Sequence, residues 1–212
     1  MYNYPQYKET DRAQLISFMK EYPFVTLIGV DANGRSAVTQ VPLLVEERGD
    51  KIFLLGHIAN KSDHQKAYKE NPQVLALFTG PHTYVSGSWY SGNPHQASTW
   101  NYVSVHARGP LRFVDDAGLV ELLKKLSLHF ENDDHASTTV YENLPEDYLS
   151  KLRHAIVAFE IEVVELENVH KLSQNRDEKS YDNIIVELQH LDPDAKKVAE
   201  WMKKRKDSIF PK

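Results

Sequence analysis

The sequence predicts a mainly antiparallel β-barrel decorated with helices, an α+β chain, and three observations carry that prediction. Early apolar and β-branched runs are joined by connections too short for parallel crossovers. Helical spacing of apolar residues appears only between and after those runs. No internal repeat divides the 212 residues, so the strands are expected to serve one core.

The elements follow in order. Thr10 is placed to cap a helix through Tyr22, with Leu15, Ile16, Phe18, Met19 and Tyr22 on one face, and Pro23 ends it. Phe24 to Val30 and Ser36 to Leu44 read as two strands joined by a tight turn at Asn33-Gly34. Arg48-Gly49-Asp50-Lys51 turns the chain into a third strand at Ile52 to Leu55. Asn60 to Glu70 is polar and reads as helix, stopped by Asn71-Pro72. Strands are expected at Val74 to Phe78, Thr83 to Val85, Trp100 to Arg108 and Leu111 to Val114. Leu119, Leu122, Leu123, Leu126 and Phe130 mark an amphipathic helix after the Asp115-Asp116 cap. A short helix follows Pro145, Ile156 to Val164 returns to strand, and the tail from Tyr181 is helical. Residues 1–170 are expected to form the barrel domain with inserted helices, and 171–212 a helical extension packed on it.

Composition excludes several functions. The chain is 41% hydrophobic and 26% charged, as a globular domain is. No apolar run approaches the roughly 20 residues that span a bilayer, and Met1 to Pro5 lacks the basic and apolar parts of a signal peptide, so a cytoplasmic location is expected. With no cysteine, disulfides, thiolate catalysis and cysteine-ligated metals are excluded. Ten histidines raise the question of haem or metal, but no His-x-x-His or His-Glu-x-x-His spacing occurs, and no metal ligand is assigned. A net charge of −5 opposes a broad field for nucleic acid. Only Lys203-Lys204-Arg205-Lys206 offers a local basic run, and either a DNA contact or the solvated end of a helix fits it.

The strongest departure from average lies between Asn71 and Ala107, where no Asp, Glu, Lys or Arg occurs although average composition would place about ten there. The segment carries Tyr84, Trp89, Tyr90, Trp100, Tyr102, three histidines and many hydroxyl and amide side chains. Such a surface suits a planar, neutral, hydrogen-bonding ligand such as a flavin ring. It suits a homodimer seam equally well. A flavin phosphate would need cations and hydroxyls, and Lys61, Ser62 and Lys66 stand where a helix begins. A second donor cluster runs from His170 to Arg176 at a strand exit.

These residues also carry a family likeness. Met1-Tyr2 with Pro5, Pro23-Phe24, Gly56-His57-Ile58-Ala59, Phe78 to Ser86, Ser88-Trp89-Tyr90, Thr99-Trp100-Asn101-Tyr102 with Val105-His106, and Lys171-Leu172-Ser173-Gln174-Asn175-Arg176 together resemble the PaiB family over nearly the whole chain. The resemblance implies an FMN-binding split barrel like that of pyridoxamine-phosphate-oxidase-like flavoproteins, a homodimer, FMN near the subunit interface, and negative transcriptional regulation of protease and sporulation genes. An FMN-dependent oxidoreductase of unknown substrate is the alternative, and no catalytic residue is assigned. Family members commonly continue Gly-His-Ile-Ala with Arg-Ala-Asn-Pro; here Asn60-Lys61-Ser62-Asp63 follows, and Lys61 offers a point charge where Arg would offer a fork. Gly87 likewise replaces the usual Pro. The expected cofactor contacts are Trp100, Asn101 and Tyr102 at the ring wall, and Lys61, Ser62 and Lys66 toward the phosphate. Lys171, Gln174 and Arg176 are expected to close the site from the partner subunit, with His57 and His106 as hydrogen bonders.

Overall fold

The computed structural model describes residues 2–92 and 95–211. Met1 of the amino-terminal motif and Asn93-Pro94 of the uncharged segment lie outside the described residues. The elements are α1 (Arg12–Glu21), β1 (Phe24–Val30), β2 (Ser36–Pro42), β3 (Leu44–Arg48), β4 (Lys51–Ala59), α2 (Asp63–Glu70), β5 (Gln73–Val85), β6 (Thr99–Phe113), α3 (Asp116–Phe130), α4 (Glu146–Ala155), β7 (Ile156–Glu162), β8 (Glu165–Lys171), α5 (Glu178–Leu188) and α6 (Pro193–Ile209). The strands join in the order β2-β1-β5-β6-β7-β4-β3, and β8 pairs with β6. β1 is antiparallel to β2 and β5, β4 to β3 and β7, and β6 to β7, so the expected mainly antiparallel α+β architecture holds.

Several boundaries differ from the sequence reading, each for a physical reason. Asp11, not Thr10, caps α1: its carboxylate accepts the Ala13 amide at 2.8 Å. The β1–β2 connection is a five-residue loop in which Asp31 Oδ1 accepts the Asn33 and Arg35 amides at 2.8 and 2.9 Å. Gly34 supplies the left-handed step there, at φ 76°. The run from Ser36 to Leu44 splits after Pro42 into β2 and β3, since proline removes a ladder donor. Conversely, the two strands expected between Val74 and Val85 are one, β5, and the two between Trp100 and Val114 are one, β6. β6 passes through Gly109-Pro110 because a Cβ at residue 109 would meet the Glu162 carbonyl oxygen at 1.9 Å, and glycine alone permits that approach. The segment beyond Ile156 holds two strands, β7 and β8, so His170 and Lys171 end a strand rather than follow one.

The chain forms two compact units, Met1–Phe18 with Thr79–Val105 and Glu167–Lys212, and Met19–Phe78 with His106–Leu166. In the second unit α3 buries Leu119, Leu122, Leu123 and Leu126 in a cluster with Leu55 of β4 and Ala158 of β7. Each such leucine contributes about 1.5–3 kcal/mol on leaving water. In the first unit Ile184 and Leu188 of α5 and Val198 and Met202 of α6 are fully buried, and the Tyr181 hydroxyl donates to the Met202 carbonyl at 2.9 Å. No described helix is long and apolar enough to cross a membrane.

Candidate functional site

The first unit holds the uncharged amino-terminal part of β6 together with the end of β8 and the turn that follows it. β6 alternates its side chains between two faces: Asn101 is fully buried while Trp100 is 53% exposed and Tyr102 half-buried. The Asn101 amide reaches inward, where Oδ1 accepts the Ser173 hydroxyl at 3.0 Å and Nδ2 lies 3.6 Å from Met202 Sδ. The Trp100 ring stands 6.1 Å from that of His82 and 6.2 Å from that of Tyr84. Burial and the neighbouring Tyr2 raise the Tyr102 hydroxyl above its ordinary pKa.

The donor cluster after β8 is tied to the same strand. Lys171 Nζ donates to the Trp100 carbonyl at 2.6 Å and to the Thr99 hydroxyl. Burial, then the Arg176 cation, lowers the Lys171 pKa. Gln174 closes the turn on itself, accepting the Leu172 amide at 2.7 Å and donating to the His170 carbonyl. Arg176 donates to Gln96 Oε1 at 2.7 Å and lies over the Tyr90 ring, 4.0 Å from its centroid. Lys171, Gln174 and Arg176 therefore have partners within their own chain.

Sequence reasoning misses two features of this unit. Ser173 is buried with φ 62°, a conformation that costs a residue with a Cβ about 1 kcal/mol or more, and no local signal marks a serine for it. The other is an ion pair between residues 196 apart, Arg205 with Glu9. Burial alone would raise the Glu9 carboxyl, but the Asp11 amide and Arg205 together outweigh it and hold the group below its ordinary pKa. His170 packs beside this pair, its Nδ1 3.2 Å from Asn168 Oδ1. Burial, then Arg205, pushes its pKa down to about 3. Lys206 pairs with Asp182 at 2.7 Å and Glu178 at 3.2 Å, so two members of the basic run are engaged within the fold while Lys203 and Lys204 are exposed.

The remaining candidates lie in the second unit. Helix α2 starts at Asp63, not Asn60, because Lys61 turns the chain with φ 61° and Ser62 caps it. The Ser62 hydroxyl donates to the Ala59 carbonyl at 2.8 Å and accepts the Gln65 amide at 3.3 Å. Gln65 Oε1 accepts the Lys61 amide at 2.6 Å. Lys61, Ser62, Gln65, Lys66 and Lys69 line an open cavity of about 450 Å3 with Asp63 and Glu70. Lys66 lies 3.9 Å from Glu70, while the Lys61 side chain is exposed. His57 and His106 are half-buried on β4 and β6. Burial lowers the His57 pKa, and its buried Nδ1 has no hydrogen-bond partner among the described residues.

A sequence profile of the family described as "Putative FMN-binding domain" matches residues 1–165. The chain belongs to this FMN-binding-domain family. It is 32% identical over 207 residues to protease synthase and sporulation protein PAI 2 of Bacillus subtilis, covering 95% of this chain and 96% of that one, so the likeness to the PaiB family read from the motifs holds. Among solved structures, the flavocytochrome Anf3 of Azotobacter vinelandii matches with a TM-score of 0.54 at 17% identity, over 82% of this chain and 74% of that one. A conserved hypothetical protein of Mycobacterium tuberculosis matches with a TM-score of 0.56 at 12% identity, over 81% and 91%. These likenesses establish the split-barrel fold.

Family membership makes FMN the cofactor to be accommodated, and the donor set fits it. An isoalloxazine ring needs aromatic or apolar walls with a few polar groups, and Trp100 and Tyr102 are aromatic side chains of that kind within the first unit. A phosphate needs cations, and Lys61 and Lys66 stand near the start of α2 in the second unit.

Proposed function

We propose that the chain is a homodimeric FMN-binding regulator of the PaiB type. The observation that carries this reading is the segment 71–107, which has no charged side chain and leaves Tyr84 of β5 and Trp100 of β6 about half exposed. Aromatic groups left in water at that density favour either a planar ligand or a second subunit. Trp100 and Tyr102 would wall the ring, His57 would meet a polar edge, and Lys61 and Lys66 would hold the phosphate. Lys61 does so as a mobile point charge, so the phosphate contact is salt-sensitive. When bound, FMN supplies one- and two-electron redox chemistry, and the chain supplies the binding, orientation and shielding around it.

Regulation through direct contact of the basic run with an operator is disfavoured by Arg205 and Lys206, whose charges are balanced inside the fold. Neutralised cations release few counterions from DNA. The test is a visible spectrum of purified protein together with sedimentation. A yellow species of twice the chain mass is expected. Colourless protein that takes up no added FMN removes the cofactor assignment, and a monomer at micromolar concentration removes the dimer.

A further inference from the structure

Asn101 stands between the two aromatic residues assigned to the ring wall, yet its own side chain is sealed inside the first unit. Side chains alternate along a strand, so anchoring residue 101 inward fixes residues 100 and 102 toward the opposite face. The anchor is Ser173, whose hydroxyl donates to Asn101 Oδ1 at 3.0 Å. Ser173 holds a left-handed backbone, φ 62°, inside a turn that Gln174 clasps from both ends. Lys171, two residues earlier, grips the carbonyl of Trp100 itself. Three bonds therefore run from the end of β8 and its strained turn to three consecutive residues of β6: Lys171 to Thr99 and Trp100, and Ser173 to Asn101.

A side chain with a Cβ persists at positive φ only where its surroundings over-determine it. Glycine would remove the strain, and asparagine is the commoner substitute. What serine adds here is a short buried donor aimed at Asn101, at the cost of that strain. We propose that Ser173 and Asn101 form a positioning pair that holds the flavin wall in register, with neither residue touching the ring. The proposal rests on the FMN reading above. It reassigns Asn101 from a ligand contact to a positioning residue.

The two substitutions Ser173→Gly and Ser173→Ala test it on the full chain. Both remove the donor, but glycine also relieves the left-handed strain. Ser173→Gly is expected to unfold nearer the wild-type temperature than Ser173→Ala, since relief of the strain offsets part of the lost buried hydrogen bond, while binding FMN about five- to tenfold more weakly. Ser173→Ala should bind as weakly and unfold earlier. Hydrogen exchange should quicken at 99–105 in both variants without FMN, and stay unchanged in α3. A purely structural serine would make affinity follow stability, so Ser173→Gly with wild-type affinity overturns the proposal. Unchanged exchange at 99–105 overturns it too. Wild-type protein that binds no FMN up to about millimolar concentration overturns the FMN reading itself, and this proposal with it; that result differs from one in which only the variants keep wild-type affinity.

Discussion

At the end of β8 and in the turn that follows, Lys171, Ser173, Gln174 and Arg176 all give their donors to the chain itself. At the start of α2, the Lys61 and Lys66 side chains are exposed, Lys66 with the Glu70 carboxylate 3.9 Å away. Both regions read alike in sequence, as short runs rich in donors. The first is preorganised, so a ligand there meets a fixed shape and loses little entropy on docking. The second acts through charge that salt screens. The difference teaches that a donor-rich motif names a region, while its hydrogen-bond partners decide whether it binds by form or by field.

The sharpest way to break that comparison is to unlock the first unit. Arg205→Ala leaves the Glu9 carboxylate, 9% exposed, without its cation, and is expected to cost about 3 kcal/mol. Urea unfolding would read this as a lowered midpoint, and an unchanged midpoint would mean the pair is solvated. A second effect follows from His170, held neutral to about pH 3. Below about pH 6.5 the unfolded chain takes up a proton that the folded chain refuses. Stability is therefore full above that pH and falls as the pH drops toward 3, by up to about 1.4 kcal/mol per unit. Denaturation at a series of pH values, compared with His170→Gln, isolates this contribution as the part the variant lacks.

Smaller effects belong to the solvated side. Ser62→Ala removes the cap of α2 and should cost about 1 kcal/mol, measurable by thermal unfolding. Lys203→Ala with Lys204→Ala should change stability by less than about 0.5 kcal/mol, in contrast to Arg205 one residue on. A large loss in that double variant would show that the exposed part of the run is structural as well.

The mainly antiparallel fold was legible because alternation and turn residues are local signals: β1, the turn at Gly49-Asp50 and the buried face of α3 all follow from neighbours in sequence. Strand lengths were less so. β5 and β6 run through Gly80-Pro81 and Gly109-Pro110, which read locally as breaks, whereas the glycines are there because the Phe18 ring crowds residue 80 and the Glu162 carbonyl crowds residue 109. At the candidate site, residue types and motifs were readable, but partnership was not. Nothing near Asn101 announces Ser173 seventy-two residues away, and nothing in the basic run separates Arg205, bound to Glu9, from the exposed Lys203 and Lys204.

The division between a shaped wall and a charged phosphate cradle is tested most directly by titrating wild-type protein and the Lys61→Ala, Lys66→Ala double variant with FMN and with riboflavin, which lacks the phosphate. The wild type is expected to bind FMN at least about tenfold more tightly than riboflavin, consistent with one charge-assisted contact. The double variant should lose that preference while keeping its riboflavin affinity and its stability. Equal affinity of the wild type for the two flavins, or an unchanged preference in the double variant, would contradict the account.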